Sequence, residues 1–242
     1  MNCFTCNARW PSKMKTGLLC LLVDTNQGPV LVDTGLGLQD YKNPTWFTQF
    51  FRLITIMPFS SHEAAARQLE GLGYKPGDVR HIILTHMHFD HCGGLPDFPQ
   101  ATIHVHRREF DAFIHGPRRF QELAYSSRNI THVKDWALYD STGDTWYEFD
   151  AIRIPGFEPQ IWLIPLFGHS YGHCGVAIQT GTGWHFHCAD AGVDIVRNIA
   201  PDWLIAAALG PHWPRLRDFA RTHPEIILTA SHMYLDFFSN AG

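Results

Sequence analysis

Charge is what this sequence has least of. Charged side chains make up 17% of its 242 residues, and 19 basic against 23 acidic ones leave 19 − 23 = −4. There is no basic block and no run of like charge, which argues against nucleic acid as a partner, because phosphate binding gathers Lys and Arg. Long apolar runs are missing as well. No window reaches the length that spans a bilayer, so no membrane partner is expected. Met1 to Thr16 lacks the apolar stretch of a secretory signal, and the expectation is a cytoplasmic, reduced protein. Cys3-x-x-Cys6 has no second pair to complete a zinc ribbon and is expected to be a frayed terminus.

Hydrophobic residues, by contrast, reach 45%, enough for one large folded domain over residues 1–242. Residues 17–23 and 29–32 read as a hairpin around a five-residue turn, Asp24 to Gly28. Ser60 and Glu63 are spaced as a capping box before Ala65, Leu69 and Leu72 at helical intervals. Strand patterns recur at 79–84, 101–106, 146–154, 160–167, 174–180, 184–188 and 225–230. His104 and His106 fall on the face opposite Ile103 and Val105, as exposed or structural residues. Helices are expected from Arg107, carrying Phe110 and Phe113, and over 201–209 and 214–222. The stretch 115–144 has only a weak pattern and reads as irregular or loosely helical. Residues 41–58 crowd Trp46, Phe47, Phe50, Phe51, Leu53, Ile54, Ile56 and Met57 together, either as a buried helix or as a lid or homodimer surface. Strands and helices alternate without a repeat, which makes a mixed α/β domain.

Thr85-His86-Met87-His88-Phe89-Asp90-His91-Cys92-Gly93-Gly94 organises the rest. Three histidines and an aspartate within six residues are hard to explain by packing, and imidazole is a common metal ligand. The strand at 79–84 ends just before them. His86 and His88, two apart in extended chain, share a face and can pinch one ion. Asp90 and His91 follow at a turn and can reach a second. Cys92, Cys174 and Cys188 lie beside these loops and read as small buried fillers.

This pattern resembles the metal-binding signature of the metallo-β-lactamase superfamily of hydrolases. Three further segments, in order, are similar to that family's: Val32-Asp33-Thr34-Gly35, Gly168-His169-Ser170-Tyr171-Gly172-His173 and Cys188-Ala189-Asp190-Ala191-Gly192. Ser231-His232 falls where the family places its last histidine. The resemblance implies a four-layer αββα sandwich and two divalent metal ions, zinc first, with manganese, cobalt or iron also fitting. It implies His86, His88 and His169 around one ion, Asp90, His91 and His232 around the other, and Asp190 bridging. Asp33 would support the metal loop without ligating, and His173, His185 and His187 would be structural.

The chemistry implied is hydrolysis by a metal-bridging hydroxide, with Asp90 orienting it and passing a proton to the leaving group. The substrate expected is a small, partly apolar ester or lactone, as in the lactonase and glyoxalase II-like branches. Asp190 argues against the β-lactamase branch. Phosphoester or phosphotriester hydrolysis is an alternative, and so is the oxidation performed by mononuclear iron persulfide dioxygenases, which share His-x-His-x-Asp-His. The lactonases place a tyrosine three residues after the bridging aspartate, where this chain has Val193. Tyr171 or Tyr234 can supply a hydroxyl instead, or each is a packed aromatic.

Overall fold

A computed structural model describes residues 2–9, 15–55, 60–116, 124–192 and 202–232. Two six-stranded sheets are formed, each hydrogen-bonded in chain order. The first contains β1 (Asn2–Arg9), β2 (Lys15–Thr25), β3 (Gly28–Val32), β4 (His81–Ile83), β5 (Thr102–His106) and β6 (Trp136–Tyr139). The second contains β7 (Asp144–Trp146), β8 (Phe149–Ile154), β9 (Ile161–Pro165), β10 (Cys174–Thr180), β11 (Gly183–His187) and β12 (Ile227–Thr229). The helices are α1 (Leu38–Lys42), α2 (Trp46–Thr55), α3 (Ala65–Gly71), α4 (Phe89–Cys92), α5 (Arg107–Ile114), α6 (Asp202–Leu209) and α7 (Trp213–Thr222). Among the described residues no helix is long and apolar enough to cross a membrane.

Strand alternation sorts the side chains into layers. In β2, Leu19, Leu21 and Val23 join Val30 and Val32 of β3 and face Ile152, Ile154, Ile161, Leu163, Val176 and Ile178 of the second sheet. The intervening Cys20, Leu22 and Leu31 turn outward onto Ala65, Ala66 and Leu69 of α3 and Phe113 of α5. The second sheet does the same, with Ala151, Ile164, Ala177 and Phe186 covered by Leu216 and Phe219 of α7. The expected αββα sandwich is the result. Full burial of each Leu, Ile or Phe contributes roughly 1.5–3 kcal/mol.

Several local expectations give way. The hairpin turn is only Asn26-Gln27, because pairing runs out to Thr25 opposite Gly28. Strand 146–154 breaks at Tyr147, whose φ of 50° starts the β7–β8 turn. Residues 136–139 form β6 inside the stretch read as irregular, pairing with β5, whose parallel edge supplies the partner that local pattern lacked. Residues 2–9 are not frayed: β1 pairs with β2 from Asn2 opposite Leu22 to Arg9 opposite Lys15, capping an otherwise open edge. Ser60 does not close a capping box; its Oγ accepts from the N–H of His62 in a short 3₁₀ turn. The strand at the end of the chain shortens to Ile227–Thr229, with Ile227 exposed.

Two pairs of parallel neighbours position the site. β3 and β4 run parallel, so Asp33 and Thr85-His86 leave the first sheet at the same edge. In the second, β11 and β12 also run parallel, delivering Asp190 and His232 together. Backbone hydrogen bonds then join the sheets there: Cys174 donates to Thr85 O at 2.9 Å, and Leu19 to Ser231 O at 2.8 Å.

Candidate metal centre

All seven proposed ligands meet at that edge. One donor atom from each of His86, His88 and His169 lies within 4.8 Å of the others, and the same holds for Asp90, His91 and His232. A third group, His86, His91 and Asp190, links the two. His88 Nδ1 and His169 Nε2 are 3.1 Å apart. Asp190 sits between the groups. Its Oδ1 lies 3.2 Å from His91 Nε2, and its Oδ2 lies 3.2 Å from His169 Nε2 and 3.5 Å from His232 Nε2. His232 Nε2 is also 3.8 Å from Asp90 Oδ2.

Local structure explains why these side chains converge. His88 caps α4, whose single turn swings Asp90 and His91 back over the strand end. Asp33 and Ala189 hold left-handed backbone, with φ of 56° and 48°. That conformation costs an L-residue roughly 1–2 kcal/mol and places the carboxylates of Asp33 and Asp190. Gly93 is required by close approach, since a Cβ there would lie 2.5 Å from Phe89 O and 2.6 Å from Asp40 Oδ2.

Asp33 does what the resemblance implied. It is buried, and it accepts from Thr85 N–H at 2.9 Å, from Thr85 Oγ1 at 2.7 Å and from His91 Nδ1 at 2.8 Å. The last bond keeps a proton on His91 Nδ1 and aims Nε2 into the donor cluster, 3.2 Å from Asp190, the usual way a carboxylate orients an imidazole for a metal.

The donors fit a divalent cation. His86 Nε2, His91 Nε2 and Asp190 Oδ1 are buried with no hydrogen-bond partner among the described residues. The 3.2 Å approach of the last two lacks hydrogen-bond alignment. Burial, reinforced by neighbouring histidines, holds His86 and His88 well below the usual imidazole range, so each is neutral and keeps one unprotonated nitrogen to offer a cation. At His91 and His232 burial opposes charge but loses to the carboxylates, Asp190 foremost, and both are raised. Asp190 is likewise costly to bury as an anion, yet His91, His232 and His169 hold it well below the carboxylate range. In the metal-free protein, protons on imidazoles balance acids that a cation would otherwise neutralise.

Comparison with known proteins agrees. Residues 17–196 match the Metallo-beta-lactamase superfamily. The chain belongs to the metallo-β-lactamase superfamily. It is 40% identical over 194 residues to a Mycobacterium tuberculosis protein named "Probable metallo-hydrolase", covering 79% of this chain and 61% of that one. It is 32% identical over 162 residues to an N-acyl homoserine lactonase of Bacillus thuringiensis, covering 66% and 58%. The aligned part is thus about three fifths of these relatives' length. An N-acyl homoserine lactone hydrolase, solved with N-hexanoyl-L-homoserine at its metal centre, superposes with a TM-score of 0.67 at 23% identity. That superposition covers 98% of this chain and 94% of the other, and it shows the fold.

Within this superfamily fold His173 is structural, as expected: it accepts from the N–H of Asp190 at 3.2 Å and so holds that loop. A carboxylate near the centre escaped the sequence reading. Glu109 is wholly buried beneath the histidine loops. Its signal was spacing: Glu109 and Phe113 are four apart on α5 and share its buried face. Of the two readings of His104 and His106, the structural one holds: both are buried, His104 bonds His81 and the Tyr139 hydroxyl, and His106 caps α5. Tyr171 is half-buried. Val193 and Tyr234 lie outside the described residues. Cys92, Cys174 and Cys188 are buried, and their thiols point to the backbone carbonyls of Met87, Gly172 and Phe186.

Proposed function

We propose that this chain is a metal-dependent hydrolase that opens the ester or lactone bond of a small molecule. The observation that carries the proposal is Asp190, one carboxylate facing both groups of donors. His86, His88 and His169 would hold one divalent ion, and Asp90, His91 and His232 a second, with Asp190 shared; zinc suits this nitrogen and oxygen set. Bound ions would supply charge that polarises a carbonyl oxygen and lowers the pKa of water.

The rest falls to the chain. Asp33 fixes the tautomer of His91 through the 2.8 Å bond. Asp90 is the proton carrier: its Oδ2 lies 3.8 Å from His232 Nε2, at the centre yet not fully enclosed. The residue would pass a proton to the leaving alkoxide. Met87, Phe89 and Leu95 are fully or nearly buried around the loop and keep bulk water from its underside. The reading treats residues 1–242 as one working domain, since the donors come from both sheets. The named activity of the lactonase relatives supports a lactone or ester as substrate.

The test combines metal counting with a substrate panel. Protein purified without chelator should contain nearly two metals per chain by elemental analysis. Chelation should abolish activity, and zinc, manganese or cobalt should restore it. The panel comprises γ-lactones, aryl esters, thioesters, a cephalosporin and an aryl phosphodiester. Turnover of lactones or esters is expected. Turnover of the phosphodiester or cephalosporin alone would overturn the ester reading. One iron per chain with oxygen consumed on persulfide would overturn hydrolysis altogether.

A further inference from the structure

Glu109 belongs to neither donor group, yet it touches the loops that carry one of them. It stands in the first turn of α5 with no exposed surface. Its Oε1 accepts from Met87 N–H and the Tyr125 hydroxyl, both at 2.9 Å. Its Oε2 accepts from the Ser170 hydroxyl and Gly172 N–H, both at 2.8 Å. Four donors fill the sites that a carboxylate offers.

These donors are significant by position. Met87 lies between His86 and His88, and Ser170 follows His169. Tyr125 forms an isolated backbone bridge with His88. Gly172 precedes His173, the residue that holds the Asp190 loop. A Cβ on Gly172 would sit 2.3 Å from the Glu109 nitrogen, so the His169 loop rests directly on α5. His88 and His169 come from different sheets, and their facing nitrogens are 3.1 Å apart. The Glu109 carboxylate spans that gap from beneath, through short bonds strengthened by its charge. Asp33 serves the other side, holding Thr85 and His91.

We propose that Glu109 is a positioning residue that sets the spacing of the His88 and His169 loops and thereby the metal affinity of the His86, His88 and His169 group. The proposal rests on the metal-dependent reading above. Glu109→Gln keeps the size but turns one oxygen into an amide donor facing two donors. Zinc titration against a chromophoric chelator should then show one class of site weakened roughly tenfold to hundredfold, with the other unchanged. Metal-free protein gives an independent readout: amide exchange should accelerate at Met87 and Gly172 while β10 stays protected.

Ser170→Ala and Tyr125→Phe each delete a single hydroxyl bond and keep the fold safe if Glu109→Gln does not fold. Each should weaken the same class by roughly twofold to tenfold. Equal zinc affinity in wild type and all three variants would overturn the clamp and leave the metal reading standing. Exchange that accelerates evenly across both sheets, with both classes of site weakened alike, would reduce Glu109 to a structural residue and also overturn it. A wild type that takes up no zinc, manganese or cobalt would remove the metal reading itself, and the proposal with it.

Discussion

Two sets of buried histidines share this fold and differ in what their nitrogens face. On β5 and β11 they meet hydroxyls: His104 Nδ1 lies 2.8 Å from the Tyr139 hydroxyl, and His185 and His187 share Thr229 Oγ1 at 2.8 and 3.0 Å. At the strand ends, His86, His88, His91, His169 and His232 face one another and two carboxylates. Burial does not separate the sets, because both contain residues nearly sealed from solvent. An unpaired nitrogen does not separate them either, since His106 Nε2 and His185 Nδ1 also lack partners among the described residues. Convergence does. A lone buried imidazole is a packing element with a polar edge; groups of three donors within 4.8 Å of one another can hold a cation.

The comparison breaks most severely at Asp190. Asp190→Asn keeps the size and loses the charge that both groups share. Turnover should fall about a hundredfold or more, comparable to removing a principal charge-stabilising group. Metal content, read by elemental analysis, should fall with it. Normal turnover with full metal content would show that the bridging assignment is wrong.

Next comes Asp33. Asp33→Ala leaves Thr85 N–H, Thr85 Oγ1 and His91 Nδ1 without their acceptor. Metal affinity should drop roughly tenfold to hundredfold, as for other carboxylates behind ligating histidines. His104→Gln, taken through the same titration, should bind metal as wild type does, and a matching drop would erase the distinction between the two sets.

The structural histidines should reveal themselves through pH. Burial lowers His104 and His185 to about 4, against 6.5 for free imidazole. Between those limits the unfolded chain binds protons that the folded one refuses, so stability declines as pH falls from 6.5 toward 4. The slope is on the order of 1.4 kcal/mol per pH unit for each group. Melting temperatures of metal-free protein from pH 7.5 to 4 should trace this decline, and a flat profile would contradict it.

The smallest effect is expected on α2. Phe47 and Phe51 pack edge-on against Phe89, at 5.3 and 5.1 Å between ring centroids. Trp46 and Leu53 are 78% and 75% exposed, so the helix is buried along one side only. Trp46→Ser with Leu53→Ser should shift stability by no more than about 0.5 kcal/mol for each residue. A larger loss, with a change in sedimentation, would mean that this face is covered by a second copy. Phe47→Ala, on the partly buried side, should cost more than either, on the order of 1–2 kcal/mol.

Most of the proposed ligand set is local in sequence, which made it legible as a candidate. His-x-His-x-Asp-His after an apolar strand places four donors within one loop, and covalent geometry alone keeps them together. The strand alternation of residues 18–23 and 29–32 likewise assigns each side chain to a face before any fold is known. What supports the centre is not local. Local spacing marks Glu109 only as sharing a helix face with Phe113, and it becomes a clamp only when α5 packs beneath loops from both sheets. β6 shows the same dependence, for its strand conformation is specified by the parallel edge of β5. His104 and His187 alternate along their strands in a way that fits either face of a sheet. Only the stacking of two sheets and two helical layers decides that they meet hydroxyls and not a metal. Residue spacing determined which groups can share a point; hydrogen bonds between distant segments decided what holds them there.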